Sequence, residues 1–147
     1  MREILFRGKR KDNGEWVYGV YYKQTEYYGN EQERHYIITS TETPEFDQAL
    51  EYKEVIPTTI GQYTGLQDAS GKRIFEGDIV ESRFTKLEYL VCFGEYTYTD
   101  EYGQEESACG WFNEDINGYA TAFGCPEEWA TVIGTIHDNP ELLEVQK

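Results

Sequence analysis

The segment of residues 62–80 constrains the fold of this chain more than any other stretch. Strand-forming residues lead into a polar loop, then into a Gly-Asp turn, and then into a second apolar run. Gly77 can adopt the left-handed backbone conformation that side chains disfavour, and Asp78 can accept hydrogen bonds from the backbone ahead of it. Asp68 and Gly71 suit the same roles in the preceding loop. The pattern predicts strand, turn and strand.

The N-terminal residues have the pattern of a β-hairpin. Asn13 and Gly14 favour a two-residue turn with positive φ angles. Aromatic and β-branched residues then alternate with the period of two that is typical of a strand. We therefore predict strands over 4–8 and 15–23, and further extended structure over 35–39 and 55–64.

A short helix is predicted between those last two extended segments. Thr43 is a suitable N-cap and Pro44 suits the first helical position. Four residues then recur at helical spacing, namely Phe46, Ala49, Leu50 and Lys53.

The C-terminal part contains five short apolar runs, over 79–84, 87–93, 111–112, 119–123 and 129–136. Five short strands in about sixty residues predict a small closed barrel, because closure removes exposed strand edges. Residues 94–110 form an acidic, tyrosine-rich insertion. We predict a mostly β protein with minor α content: an N-terminal β region with one short helix over 1–60, and a barrel over 61–147.

The charge is distributed unevenly along the chain. The formal net charge is −15; residues 1–86 hold 15 acidic and 12 basic side chains, and residues 87–147 hold 13 acidic and one basic. Such a surface repels phosphate backbones, so nucleic-acid binding by the second part is not favoured. Acidic surfaces are also a common means of keeping a protein soluble.

Neither a membrane segment nor a disulfide framework is predicted. The first residues contain only three consecutive apolar ones, too few for the core of a signal peptide. No stretch approaches the ~20 apolar residues needed to cross a bilayer. Cys92, Cys109 and Cys125 are odd in number and lack a paired spacing, which is typical of free thiols in a reducing cytosol. We expect a cytoplasmic protein.

The sequence gives no assembled active site. Glu76, Asp78 and Glu81 could hold Mg²⁺, but Asp78 is better explained as a turn residue. The cysteines, His35 and His137 contain no pair at the spacing of a zinc site. Nucleophilic catalysis needs a base that another group orients. The obvious pair, His137 and Asp138, is better explained as a strand end before an Asn-Pro turn. We expect no catalytic, cofactor-binding or metal-binding residue, and no enzyme.

The thirteen tyrosines exceed what one core can use. Tyr96 and Tyr98 are expected to share one face of an extended segment, with Tyr102 beyond them, and tyrosine is enriched at protein interfaces. Two interpretations stay open: an exposed edge or long hairpin, or a contact surface for a partner or a second copy. These three residues are the candidate interaction surface, and the tyrosines of residues 21–28 form a further aromatic region.

Three motifs resemble the YopX family of phage and prophage proteins. The first combines residues 4–9 and 14–19, the second is the segment 62–80, and the third is 132–143. In the third motif, Thr135 stands where the family usually has asparagine. The resemblance implies a mostly β protein whose C-terminal part is an SH3-like barrel. It offers no catalytic residues.

The leading hypothesis is a non-enzymatic phage or prophage accessory protein that binds an unknown host or phage protein in the bacterial cytosol. It depends on the habitat of the family, the lack of an assembled active site and the surplus of tyrosine. We also expect a homo-oligomer through the aromatic regions, because a small barrel cannot bury all of these rings.

Two alternatives stay open. The first is nucleic-acid binding by the SH3-like barrel through basic residues of the less acidic half, namely Arg2, Arg7, Lys9, Arg10, Lys11, Lys72, Arg73, Arg83 and Lys86. The second is imitation of DNA by carboxylates on one convex face, namely Glu95, Asp100, Glu101, Glu105, Glu106, Glu114 and Asp115. Imitation requires that those carboxylates be clustered rather than scattered.

Overall fold

A computed structural model describes residues 4–26, 29, 32–43 and 46–143 of the chain. The protein is mostly β and divides into two compact units, Met1–Tyr63 (unit 1) and Thr64–Lys147 (unit 2). The boundary falls within one strand. Within the described residues, all strands belong to two antiparallel sheets.

The first sheet has the order β4-β3-β2-β1-β5-β6. Its strands are β1 (Phe6–Lys9), β2 (Trp16–Glu26), β3 (Gln32–Thr43), β4 (Phe46–Glu54), β5 (Gly61–Gln67) and β6 (Arg73–Phe75). A short 3-10 helix, Pro57–Thr59, precedes β5.

The second sheet lies in unit 2 and has the order β10-β9-β8-β7-β11. Its strands are β7 (Asp78–Ser82), β8 (Glu88–Thr99), β9 (Glu105–Glu114), β10 (Ala120–Ala122) and β11 (Ala130–Thr135). One turn of helix, α1 (Pro126–Trp129), precedes β11, and a 3-10 helix, Pro140–Leu143, follows it. The core of unit 2 consists of Ile74, Val80, Val91, Phe123 and Ala130.

The predicted N-terminal hairpin is present, but its turn is longer than predicted. β1 pairs with β2 in the register Phe6↔Gly19. The amide of Arg10 donates to the carbonyl of Glu15 at 2.9 Å, which leaves four residues in the loop. Only Gly14 of the Asn-Gly pair has a positive φ, 73°. A two-residue type I′ turn needs positive φ at both positions, so the two-residue prediction is wrong.

The predicted helix after Thr43 is wrong. Thr43 ends β3, Pro44 lies outside the described residues, and the chain from Phe46 forms β4 instead. β4 pairs with β3 in the register Ser40↔Leu50 and Ile38↔Tyr52. That pairing satisfies the backbone groups with which the two strands face each other, and it outweighs a helical pattern that extends over only two or three turns.

The predicted closed barrel is also wrong. β10 and β11 are the two ends of the second sheet, and no pairing joins them in the part of the chain that the structure describes. The acidic segment 94–110 forms the outer half of a long hairpin, which is one of the two interpretations left open above. β8 and β9 pair continuously from Leu90↔Glu114 to Thr99↔Glu105. The likeness to an SH3-type topology stays a prediction.

The predicted turn chemistry of residues 62–80 is confirmed. The amide of Phe75 donates to Asp78 Oδ2 at 2.8 Å, and Gly77 has φ 91°. Asp68 Oδ1 accepts from the amides of Ser70 and Lys72, both at 2.9 Å. Its Oδ2 accepts from the amide of Val132 at 2.9 Å, so this loop is tied directly to β11.

Those hydrogen bonds explain why Asp68 is ionised although it is buried. Burial favours the neutral carboxyl, but the donors from Val132, Ser70 and Lys72 outweigh that effect. They hold the pKa of Asp68 below its ordinary value of 3.8. The turn segment therefore contains a fixed negative charge at neutral pH.

Candidate interaction surfaces

One side of the sheet in unit 1 is an exposed apolar surface. Residues opposite each other in antiparallel strands point to the same side, and alternate residues along a strand share a side. The pairs Tyr22↔Tyr36, Val20↔Ile38 and Ile38↔Tyr52 therefore place these side chains together. We call this surface the aromatic face, and its members are Tyr18, Val20, Tyr22, Tyr36, Ile38, Leu50 and Tyr52.

Three rings of the aromatic face contact one another. The ring centroids of Tyr22, Tyr36 and Tyr52 are 6.2–6.3 Å apart in all three pairs. These are the distances of favourable tilted and edge-to-face ring pairs. The surface nevertheless faces solvent, because Tyr52 is 56% exposed and Val20 and Leu50 are each 60% exposed.

The side chains on the opposite side of the same sheet pack within the protein. The Tyr21 hydroxyl lies 2.6 Å from His35 Nδ1, and the Tyr21 ring lies 5.8 Å from that of Phe6. Ile37, next to Tyr21 across the strands, is fully buried. Of the predicted aromatic region over 21–28, Tyr22 therefore belongs to the exposed face and Tyr21 to the packed one. Tyr27 and Tyr28 lie outside the described residues.

The three tyrosines predicted from the sequence as an interaction surface lie on the β8–β9 hairpin, and they differ from one another. Tyr96 is half-buried and its ring stacks on Phe112 at 4.8 Å. Tyr98 is on the same side, 6.1 Å from Tyr96. Tyr102 is 83% exposed in the turn. A groove of about 640 Å³ is lined by Tyr96, Tyr98 and Tyr119. We call Tyr96, Tyr98, Tyr102 and Tyr119 the hairpin surface.

The carboxylates around the hairpin surface do not form one cluster. Glu106 lies opposite Tyr98 and so shares its side, whereas Glu95 lies opposite Cys109 on the other side. Asp100 is occupied in its own turn, where its Oδ1 accepts from the amides of Tyr102 and Gln104. Asp115 caps the next turn in the same way. The negative charges are therefore divided between two sides and two turns.

Several of the basic residues proposed as nucleic-acid contacts are buried or form ion pairs with carboxylates. Arg7 is 5% exposed, and its guanidinium lies 4.5 Å from the centroid of a tryptophan ring. Arg10 and Lys11 form ion pairs with Asp12 and Glu54 at 2.6 and 3.2 Å. Arg2 lies outside the described residues, and four of the nine belong to unit 2, namely Lys72, Arg73, Arg83 and Lys86.

The residues weighed for metal or nucleophilic chemistry are dispersed. Asp78 is buried in its turn. Among the described residues, no three histidine, cysteine or acidic side chains are grouped so that they could hold a metal ion. Cys92, Cys109 and Cys125 are free. Burial, with the charges of Glu114 and Glu76, raises the pKa of the Cys92 thiol to about 11, so this thiol is protonated at neutral pH.

The sequence patterns did not identify Tyr36, Leu50 and Tyr52 as surface residues. The signal was present in β4, where Leu50 and Tyr52 alternate with Glu51 and Lys53. A period of two over so few residues was outweighed by the helical spacing that begins at Phe46. Without β4 as a strand, Tyr36 had no neighbour that would mark a surface.

Comparison with known proteins gives a family and a fold. The sequence model of the YopX protein family matches residues 5–144. The crystal structure of protein EF1440 from Enterococcus faecalis is similar with a TM-score of 0.55 and 21% sequence identity, over 98% of this chain and 100% of that one. A search among curated proteins finds no match. The described residues include no helix whose length and apolar character would let it span a bilayer.

Proposed function

The chain belongs to the YopX family, and from that premise we propose that it is a non-enzymatic phage or prophage accessory protein that binds another protein in the bacterial cytosol. The observation that carries this proposal is the aromatic face of unit 1. Five of its residues are exposed on one side of one sheet, namely Tyr18, Val20, Tyr22, Leu50 and Tyr52. Contiguous apolar surface of this kind is typical of interaction sites.

The arrangement of the aromatic face resembles that of an interface. Its centre holds aromatic and aliphatic side chains. Charged residues of the same side lie at its two ends, with Arg34 and Glu54 at one end and Arg7, opposite Tyr18, at the other. Interfaces have an apolar centre and a polar rim. Tyrosine gives a large contact area at a small cost in side-chain entropy. Ring contacts already order Tyr22, Tyr36 and Tyr52, which lowers that cost further.

The hairpin surface is a weaker candidate for the same role. The ring of Tyr96 stacks on Phe112, so part of it is unavailable to a partner. Tyr102 is an exposed residue of a turn. Between Lys86 and Lys147 the chain has no lysine or arginine, so a partner at this surface would need to be basic. We therefore assign the contact to the aromatic face.

The two alternatives have less support. Imitation of DNA needs carboxylates on one face, whereas these are divided between the two sides of the hairpin and its turns. Nucleic-acid binding needs basic groups that are available to phosphate, whereas Arg7 is buried and Arg10 and Lys11 are paired with carboxylates.

Site-specific photocrosslinking tests the proposal. A benzophenone amino acid placed at Tyr52 should give a discrete adduct in the lysate of a bacterial host, and excess wild-type protein should suppress it. The same label at Tyr102, which is more exposed, serves as the matched control. We expect the adduct at Tyr52 to exceed that at Tyr102.

A competition experiment connects the adduct to the aromatic face. Excess Tyr22→Ser/Tyr52→Ser protein should not suppress the adduct, whereas excess Tyr98→Ser/Tyr102→Ser protein should suppress it as wild type does. The proposal is wrong if neither label gives an adduct that wild-type protein suppresses. A suppressible adduct at Tyr102 alone would move the contact to the hairpin surface.

A further inference from the structure

Unit 2 contains a pocket on the core side of its sheet. The pocket has a volume of about 310 Å³, at the lower end of the range for small-molecule sites. Asn113 lines it from the middle of β9, where it lies opposite Val91 of β8 and Thr121 of β10. The other residues that matter here are Ser82, Thr85, Tyr89 and Trp129.

Asn113 is an unusual residue for this position. It is 2% exposed, and among the described residues its Oδ1 has no hydrogen-bond partner. A buried acceptor without a partner costs free energy, and replacement by an apolar group of the same shape usually removes that cost. A carboxamide retained at the wall of a pocket is therefore consistent with a partner that comes from outside the chain.

The chemistry of the pocket indicates an uncharged ligand. No charged side chain is among the described residues that line it, and its polar side-chain groups are hydroxyls, one carboxamide and the indole N–H of Trp129. Tyr89 and Trp129 provide aromatic walls, with ring centroids 5.8 Å apart in an edge-to-face arrangement. An anion would also meet the repulsion of residues 87–147, which hold 13 acidic side chains and one basic.

We propose that this pocket binds a neutral planar amide, that is, a carbonyl adjacent to an N–H, as in a nucleobase or a glutamine side chain. A carboxamide is complementary to such a group, because it accepts one hydrogen bond and donates another. The χ2 torsion of asparagine is broad, so the carboxamide can turn towards the ligand. The ligand plane then packs against Tyr89 and Trp129. This site is independent of the aromatic face.

Nuclear magnetic resonance of the ¹⁵N-labelled full chain tests the site with defined probes. Uracil should shift the side-chain amide signal of Asn113 and the indole signal of Trp129, with a Kd below about 10 mM. 1,3-Dimethyluracil keeps the ring and both carbonyls but carries methyl groups in place of the two N–H groups, and it should bind at least about tenfold more weakly. N-Acetylglutamine methylamide is the third probe, and the tighter of it and uracil identifies the source of the amide. The proposal is overturned if neither shifts these two signals.

Asn113→Leu separates a binding role from a structural one. We expect this variant to lose at least about tenfold in affinity for the probe that binds wild type, and to keep or raise the Tm, because an unpaired buried acceptor is removed. Thr131→Val, on β11 and outside the pocket, is the matched control and should keep binding. Unchanged affinity in Asn113→Leu overturns the proposal.

Discussion

The aromatic face and the hairpin surface both present tyrosines on long antiparallel strands, yet they differ in what surrounds the rings. On the aromatic face, Tyr22, Tyr36 and Tyr52 contact one another across three strands. On the hairpin surface, Tyr98 lies opposite Glu106 and Tyr102 lies in a turn. A tyrosine count cannot distinguish the two cases. The number of paired strands beneath the rings decides whether they form a continuous apolar surface.

The largest expected effect comes from disturbing the pairing of β2 with β3, which carry much of the aromatic face. In Gly19→Ala, a Cβ would overlap the carbonyl oxygen of Ile38, so β2 and β3 could not keep their spacing. We expect a loss of about 3 kcal/mol in the free energy of unfolding. Hydrogen exchange should show less protection in β2 and β3 than in β8 and β9. Ser107→Ala, at an exposed position of β9, is the control and should change little. Equal loss of protection in the β2–β3 and β8–β9 hairpins would contradict the view that the two hairpins are stabilised independently.

The second effect concerns unit 2 and leaves the hairpin rings untouched. Asp68→Asn replaces one acceptor oxygen by a donor, so the bonds to Ser70, Lys72 and Val132 cannot all be kept. We expect a loss of about 2 kcal/mol at pH 7, measured by denaturant unfolding. Asp100→Asn is the matched control, since Asp100 makes the same kind of turn in an exposed hairpin, and it should lose less than about 0.5 kcal/mol.

The pH dependence of the stability difference between wild type and Asp68→Asn follows from the lowered pKa of Asp68. A carboxyl whose pKa is lower in the folded state stabilises the fold above its unfolded-state value, and that contribution disappears as the pH falls through the folded-state pKa. The ordinary value is 3.8. The stability difference between wild type and Asp68→Asn should therefore be constant above about pH 5 and shrink below it. A difference that stays constant down to pH 2 would show that the charge of Asp68 is not involved.

A smaller effect compares the contribution to stability of a ring of the aromatic face with that of a ring of the hairpin surface. Tyr22→Ala removes two ring contacts across strands, and we expect it to cost about 1 kcal/mol. Tyr102→Ala removes an exposed ring and should stay within about 0.5 kcal/mol of wild type. Thermal unfolding of both variants gives the comparison. Equal effects would mean that the ring cluster of the aromatic face contributes no stability.

The smallest effect is self-association, which we expect through the aromatic face. A net charge of −15 pushes copies apart, but salt at physiological strength screens charges beyond about 8 Å, and apolar contacts remain. Light scattering after size exclusion should show a larger species that increases with salt and is lost in Tyr52→Ser. A species of 17.2 kDa at every concentration and salt level would refute the prediction.

Local chemistry was predictable from the sequence, and non-local pairing was not. The turns at Asp68 and Gly77 depend on residues within a few positions of each other, so their hydrogen bonds could be anticipated. The strand β4 depends on Tyr36 and Ile38, which lie well before it in the chain, and local spacing favoured a helix instead. Closure of the second sheet depends on whether β10 meets β11, and no local pattern contains that information.

The bond between Asp68 and Val132 also has a consequence for synthesis of the chain. The two residues are 64 positions apart, so the oxygen that holds β11 is made long before its donor leaves the ribosome. Until then β7 lacks its neighbour β11 and is an open edge that another nascent chain could pair with. Contacts of such long range also slow folding. Translation rate and chaperone supply should therefore affect the yield of this protein more than its final stability suggests.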